Sequence, residues 1–293
     1  MQVYLDIVRE VLQKGTRKEN RTGVDTLSTF NINYEIDLRN GFPLLTTKEI
    51  SWKNIVVENL WFLSGEKHVG LLRKHNCKFW EPWADENGLV PSAYGNFWRH
   101  FPVQTQDERV AYNDQIAWVL AELKRNPMSR RLVVSAWAPG NAQTSKLPPC
   151  HCMFVLNVQV EPGGERVLCL HLLQRSCDVA LGIPYNIAGY ALLLELFGRF
   201  SGIRPAIFAH TLIDAHVYTK KADGSMAEHD HVPGLELQLG RAPRPLPRLR
   251  IHPDLRSLDD ILPLLEASTD EVMRHFELEG YCPHPAIGFK VAV

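Results

Sequence analysis

The chain has 293 residues, a formal net charge of −1 and 45% hydrophobic residues, an ordinary balance for a folded globular protein. A near-neutral charge excludes a global basic field that would draw it onto nucleic acid or membrane. No apolar run reaches the about 18–20 residues that cross a bilayer, and six scattered cysteines without a secretory signal predict reduced thiols in a cytoplasmic protein.

The first half of the chain predicts mostly helices. Residues 1–15 have apolar positions at helical spacing, whereas residues 27–38 alternate and carry β-branched side chains, which predicts a strand. Residues 55–63 predict a buried helix with Glu58 in its middle. Residues 116–123 predict an amphipathic helix that ends before a proline.

The second half adds strands and one long buried helix. Strands are predicted over residues 132–137, 153–160, 167–173 and 248–251. Residues 187–200 are apolar nearly all round and predict a central helix, and residues 234–247 predict a polar, proline-rich connection. Without an internal repeat or a long linker, the pattern predicts one α+β domain over residues 1–293.

Cys150 is the most informative single residue. It follows two prolines, with Arg130 and Arg131 upstream and Arg175 and Ser176 downstream. Cations favour a thiolate over a thiol and also hold phosphate, so this setting predicts a nucleophilic cysteine that acts on an anionic substrate. A small buried structural cysteine is the alternative that residue type alone favours.

Four sequence blocks carry a resemblance to a known family. LPPCH at 147–151, QRSCD at 174–178, LGIPYNIA at 181–188 and PRPLP at 243–247 occur in this order. Together they resemble thymidylate synthase, and the similarity runs from Tyr4 to residues 291–293. The resemblance implies a mixed sheet flanked by helices and a homodimer packed sheet against sheet. It implies a methyltransferase that converts dUMP to dTMP with 5,10-methylenetetrahydrofolate and without a metal.

The resemblance implies roles for the catalytic residues. Cys150 attacks C6 of the uracil ring, and Arg175 lies beside it. Glu58 organises a proton-transfer water network, Tyr94 helps to remove the C5 proton, and His151 completes the polar surroundings. Independently, a carboxylate inside an apolar segment must be paired or functional, because burying it alone is costly.

The implied substrate site has three parts, which bind the phosphate, the base and the sugar. Arg21, Arg175 and Ser176 bind phosphate, and the expected set is completed by Arg130 and Arg131 from the other subunit. Guanidinium groups suit this role because they give bidentate hydrogen bonds to phosphate.

Asn186 is expected to read the O4/N3 edge of uracil, where family relatives acting on cytosine nucleotides typically carry Asp. A helix N-cap is the alternative for this residue. His216 and Tyr218 are expected to bind the sugar 3′-hydroxyl, with a packed strand pair as the alternative.

The implied folate site is aromatic with a few polar anchors. Trp80 and Trp83 match the pterin side, and Asp178 is expected close to the pterin and the substrate. The tail at 291–293 is expected to close over the ligands and exclude water. The expected cofactor-binding residues are Lys48, Trp80, Trp83, Asp178, Gly182 and Ala292.

Some positions depart from the family pattern. Glu49 places a negative charge where the folate glutamate tail is expected, and Gly189 lacks the usual serine side chain close to the nucleotide, which would leave room for a ribose 2′-hydroxyl. Residues 220–234 form a loop with no assigned role.

Three other functions remain open. A dUMP hydroxymethylase on the same scaffold would let water, not hydride, attack the methylene intermediate. A metal-binding module would use residues 150–152 and 229–231, although the ligand spacing fits zinc poorly. An inactive nucleic-acid-binding relative is opposed by the near-neutral charge.

Overall fold

The computed structural model describes residues 1–107, 109–143 and 145–292. The helices are α1 (Gln2–Lys14), α2 (Trp52–Ser64), α3 (Gly70–Lys74), α4 (Tyr94–Arg99), α5 (Gln115–Arg125), α6 (Gly182–Ser201), α7 (Val232–Leu239), α8 (Ile261–Leu265) and α9 (Thr269–Arg274). The strands are β1 (Thr16–Lys18), β2 (Asp25–Asp37), β3 (Phe101–Gln104), β4 (Val110–Asn113), β5 (Val133–Ser135), β6 (His151–Val160), β7 (Arg166–Gln174), β8 (Cys177–Asp178), β9 (Arg204–Thr219), β10 (Arg248–Ile251) and β11 (Phe276–Glu279).

A mixed sheet forms the centre of the molecule. Its strand order is β1-β2-β9-β7-β6-β5, with β8 also paired to β9. β9 runs parallel to β7 and β8, whereas the other neighbouring pairs are antiparallel. The predicted α+β class with a mixed sheet flanked by helices is therefore confirmed. The β3–β4 hairpin and the two-stranded β10–β11 sheet lie outside this sheet.

The long helix α6 fills the space over the sheet. It packs against β7 and β9, and α1 packs against β2. The central leucines of α6 are fully buried because this helix is apolar on nearly every side, as the sequence predicts. One hydrophobic cluster extends from Tyr4 to Phe276. A single domain over residues 1–293 and a sheet-to-sheet dimer both remain predictions.

Element boundaries differ from the predictions in informative places. α6 begins at Gly182, five residues before the predicted start, so Asn186 lies inside the helix and is not its N-cap. The polar stretch at 234–247 is partly helical, because α7 spans Val232–Leu239 and buries Leu235. The predicted strand at 132–137 is shorter, since only Val133–Ser135 pairs with β6.

Within the described parts of the chain, no helix is both long enough and apolar enough to cross a membrane.

Candidate active site

A cavity of about 370 Å³ opens beside Cys150. Many of the predicted site residues line it. They are Arg21, Trp83, Cys150, Arg175, Ser176, Asp178, His216, Tyr218 and Ala292. Glu58, Trp80, Tyr94, His151 and Asn186 do not line this cavity and belong to the surrounding hydrogen-bonded layer described below.

Arg175 fixes the segment that carries Cys150. Its Nε donates to the Pro149 carbonyl at 3.0 Å, and its Nη2 donates to the Pro148 carbonyl at 2.7 Å. Its backbone N–H donates to the Cys150 carbonyl at 2.9 Å, which extends the pairing of β6 with β7. The nucleophile candidate is therefore held by both the backbone and the side chain of one residue.

The electrostatic environment of Cys150 differs from the expectation. Burial raises the pKa of the thiol, while the positive charges of Arg175 and Arg21 oppose this shift without reversing it. The Cys150 thiol lies 3.9 Å from the Pro148 carbonyl, as a neutral S–H donor would. The two arginines therefore favour the thiolate but do not fully offset the effect of burial on the pKa of Cys150.

Tyr94 and His151 form a layer directly behind Cys150. The Tyr94 hydroxyl accepts hydrogen bonds from the backbone N–H of Cys150 at 3.2 Å and of His151 at 3.5 Å. The two rings stack with centroids 4.5 Å apart and an interplanar angle of 3°. Burial lowers the pKa of His151 to about 3, so this ring is neutral. Burial also raises the pKa of Tyr94 well above its usual range.

Glu58 lies on α2 and is paired with Trp80. The Trp80 indole N–H donates to the carboxyl at 2.7 Å. Burial raises the pKa of Glu58 to about 7, and the Trp80 hydrogen bond pulls in the opposite direction. A carboxyl with a pKa near neutrality is suited to both accepting and donating a proton. Trp80 therefore positions a carboxyl here, whereas Trp83 faces the cavity.

Asp178 organises the start of α6. Its Oδ1 accepts hydrogen bonds from the N–H groups of Ala180 at 2.8 Å and Leu181 at 3.0 Å. Gly182, the first residue of α6, follows directly, and a Cβ there would lie 3.7 Å from Asp178 Cβ. This arrangement leaves the other carboxylate oxygen free of backbone N–H partners from this turn.

Lys48 lies beneath the tail and does not line the cavity. Its ammonium donates to the Ala180 carbonyl at 2.6 Å and lies 4.5 Å from the centroid of the Phe289 ring. Burial lowers the pKa of Lys48 to about 8, with the Asp178 charge opposing the shift. This places Lys48 between the Asp178 turn and the tail.

The tail is attached to the loop whose role the sequence left unassigned. The His231 Nε2 lies 2.9 Å from the Lys290 carbonyl, and the His231 ring packs against Phe289 at 5.0 Å. Val291 and Ala292 line the cavity. Val293, also part of the predicted tail, lies outside the described residues.

His216 and Tyr218 project from the same face of β9 into the cavity, since they are two residues apart on one strand. Asp214, at the preceding position of this alternation, also lines the cavity, and Lys18 lies 3.6 Å from its carboxylate. The sequence analysis missed both residues, although the two-residue period of β9 was a usable signal for Asp214.

Arg130 and Arg131 are exposed between α5 and β5 and do not line this chain's cavity. Gly189 differs from its expected role. A Cβ at this position would meet the Asn59 amide nitrogen at 3.0 Å, and Asn59 is buried. The missing side chain is therefore compensated by Asn59 of α2, and it does not enlarge a sugar pocket.

Across the described ranges, no group of three or more His, Cys, Asp and Glu side chains is arranged to hold a metal ion.

Comparisons with known proteins agree with this geometry. A family model described as Thymidylate synthase matches residues 2–293. A curated relative, "Thymidylate synthase" from Haloferax volcanii, is 39% identical, with 98% of this chain and 95% of the relative covered.

The raised pKa of Glu58 predicts a specific pH dependence of stability. The folded-state pKa of about 7 lies above the ordinary value of 4.5, so the unfolded chain releases this proton first as the pH rises. Relative to a Glu58→Gln variant, the wild-type free energy of unfolding should fall by about 3 kcal/mol between about pH 4 and about pH 8.

Urea unfolding of both proteins across this pH range measures the difference. The comparison removes contributions that the two proteins share, including that of Glu195, whose pKa burial also raises to about 7. Parallel stability profiles would contradict the assigned protonation of Glu58.

Proposed function

Because the chain belongs to the thymidylate synthase family and is therefore a methyltransferase, we propose that it converts dUMP to dTMP through a covalent bond between Cys150 and C6 of the uracil ring. The observation that carries this proposal is the shared cavity. Cys150 lies in it together with Arg21, Arg175 and Ser176, so one anionic nucleotide would reach the phosphate-binding groups and the nucleophile at once.

The phosphate end has enough hydrogen-bond donors. A guanidinium has five N–H donors, and Arg175 uses two of them on the Pro148 and Pro149 carbonyls. The remaining donors, with Arg21 and the Ser176 hydroxyl, would bind phosphate. The phosphate would also place negative charge beside the arginines. Arg175 would then hold the Cys150 segment and bind the substrate from the same position.

The reaction requires bond changes at C5 and C6. Cys150 sulfur adds to C6, and the electron pair moves to C5, which attacks the methylene carbon of 5,10-methylenetetrahydrofolate. Loss of the C5 proton and expulsion of tetrahydrofolate leave an exocyclic methylene. Hydride from tetrahydrofolate then gives the methyl group, Cys150 leaves, and the co-product is dihydrofolate.

The surrounding residues would handle protons and orientation. Glu58, with its pKa of about 7, would relay protons through water. Tyr94 packs against Trp80, the partner of Glu58, and accepts a hydrogen bond from the Cys150 backbone. Asn186 would read the base, and His216 with Tyr218 would bind the sugar. These roles are supported by the hydrogen bonds and by the positions of His216 and Tyr218 in the cavity wall.

The folate would occupy the tail side of the cavity. Trp83 offers an aromatic surface, Asp178 offers a carboxylate for the pterin, and Ala292 belongs to the segment that would exclude water. Gly182 lies at the turn next to Asp178. Lys48 would act by holding the Asp178 turn and the tail together, since its ammonium already contacts both.

Product identification tests this function. Incubation with dUMP and 5,10-methylenetetrahydrofolate should yield dTMP and one equivalent of dihydrofolate, as measured by mass spectrometry and folate absorbance. Cys150→Ala should abolish product formation, because the described residues that line the cavity include no other cysteine. Formation of 5-hydroxymethyl-dUMP with tetrahydrofolate would identify the hydroxymethylase instead.

A shared site in a homodimer predicts subunit complementation. Arg130→Ala and Cys150→Ala should each be nearly inactive alone. An equal mixture of the two should regain about a quarter of wild-type activity, because half of the dimers are mixed and each has one intact site. Activity after subunit exchange is the measurement.

The matched control exploits the intrachain position of Arg175. A mixture of Arg175→Ala with Cys150→Ala should remain inactive, since Arg175 contacts the Cys150 segment of its own chain. Equal recovery in both mixtures, or recovery in neither with exchange confirmed, would contradict the sharing of Arg130.

A further inference from the structure

A chain of buried polar side chains joins β2 to α6. The Tyr34 hydroxyl lies 2.7 Å from His210 Nδ1, and His210 Nε2 lies 3.0 Å from Gln174 Oε1. Gln174 Nε2 lies 3.2 Å from Asn186 Oδ1 and 3.0 Å from the Ser176 carbonyl. Tyr34, His210 and Gln174 are 9%, 1% and 3% exposed. These are costly positions for polar groups unless every hydrogen bond is made.

The register of the strands places these hydrogen-bonded side chains next to one another. Tyr34 and His210 are direct partners across β2 and β9, and His210 is opposite Leu172 of β7. Gln174 follows Leu172 by two residues, so it lies on the same face of the sheet. That face is covered by α6, which carries Asn186 close to its start.

The direction of each hydrogen bond follows from one backbone group. The Ser176 carbonyl can only accept, so the Gln174 NH₂ group must face it, and Gln174 Oε1 must face His210. His210 Nε2 must therefore carry a hydrogen. Burial keeps the His210 ring neutral by lowering its pKa, so Nδ1 is an acceptor and the Tyr34 hydroxyl donates to it.

The same reasoning fixes the Asn186 amide. Gln174 donates an N–H to it, so the Asn186 oxygen faces Gln174 and its NH₂ group does not. The Asn186 side chain also has a hydrogen bond to His151. An NH₂ group suits the carbonyl at position 4 of uracil and is mismatched with the amino group of cytosine. A rotated amide would reverse this preference.

We propose that Tyr34 and His210 are positioning residues that hold the Asn186 amide in one orientation and thereby set the preference for uracil over cytosine nucleotides. This inference rests on the proposed function, in which Asn186 reads the base. Neither residue lines the cavity beside Cys150, so both would act through Gln174. The hydroxyl of Tyr34 donates to His210 Nδ1 and so stabilises the tautomer that the Ser176 carbonyl and Gln174 select.

The test compares two buried tyrosines. Tyr34→Phe removes the hydroxyl at the β2 end of this series of hydrogen-bonded side chains. Tyr4→Phe is the matched control, since Tyr4 is fully buried and its hydroxyl donates to the Val179 carbonyl at 3.1 Å. This hydrogen bond is not part of the network that joins Tyr34 to Asn186. Dissociation constants for dUMP and dCMP are measured by competition without folate, so no turnover is needed.

We expect Tyr34→Phe to reduce the preference for dUMP over dCMP by about fivefold, the effect of one net hydrogen bond. Tyr4→Phe should leave this ratio unchanged, because a general loss of packing weakens both nucleotides alike. An unchanged ratio in Tyr34→Phe, or an equal change in both variants, would overturn the proposal.

Nitrogen-15 NMR of the histidine rings provides a second test that needs no variant and no nucleotide. His210 should carry its hydrogen on Nε2 and have an unprotonated Nδ1, and the opposite tautomer would overturn the proposal. If the wild-type protein binds dCMP as tightly as dUMP, the base-reading role of Asn186 itself fails, and the positioning role fails with it. A normal wild-type preference that Tyr34→Phe leaves intact contradicts the positioning role alone.

Discussion

The hydrogen bonds from Arg175 to the Pro148 and Pro149 carbonyls are the contact on which the site depends. Two consecutive prolines have no backbone N–H, so this segment cannot join the sheet by a regular ladder. A side-chain donor must therefore satisfy the carbonyls of this segment and fix the orientation of Cys150, which follows it. The residue that fulfils this need also carries the positive charge that the proposed nucleophile and a bound phosphate would require.

Burial keeps the centre of the site largely neutral. It raises the pKa of the Cys150 thiol and brings that of Glu58 to about 7, and it lowers that of His151 to about 3. Glu58, with a pKa near neutrality, can exchange a proton at little cost near pH 7, whereas burial opposes the charged forms of His151 and Cys150. The positive charge of Arg21 and Arg175 would therefore act on a site that becomes ionic only when the proposed anionic nucleotide binds.

The sequence predicted the long regular elements well, because periodicity reports burial directly. The helix around residues 116–123 and the strand at 27–38 were found for this reason. The start of α6 was missed, because Gly182 and Pro184 are weak helix signals that the Asp178 turn overrides. Motifs located Cys150, Arg175 and Asp178, but no motif reports that His210 faces Gln174. That contact depends on the register of three strands, which only the folded chain fixes.

The central claim is a covalent bond between Cys150 and C6 of the substrate. A dUMP analogue with fluorine at C5 tests it directly, because C5 then has no proton to lose and the adduct cannot proceed. After incubation with this analogue and 5,10-methylenetetrahydrofolate, intact-protein mass spectrometry should show one nucleotide and one folate added, and peptide mapping should place both on the peptide with Cys150. An unmodified Cys150, or an adduct on Cys152 or Cys177, would contradict the account.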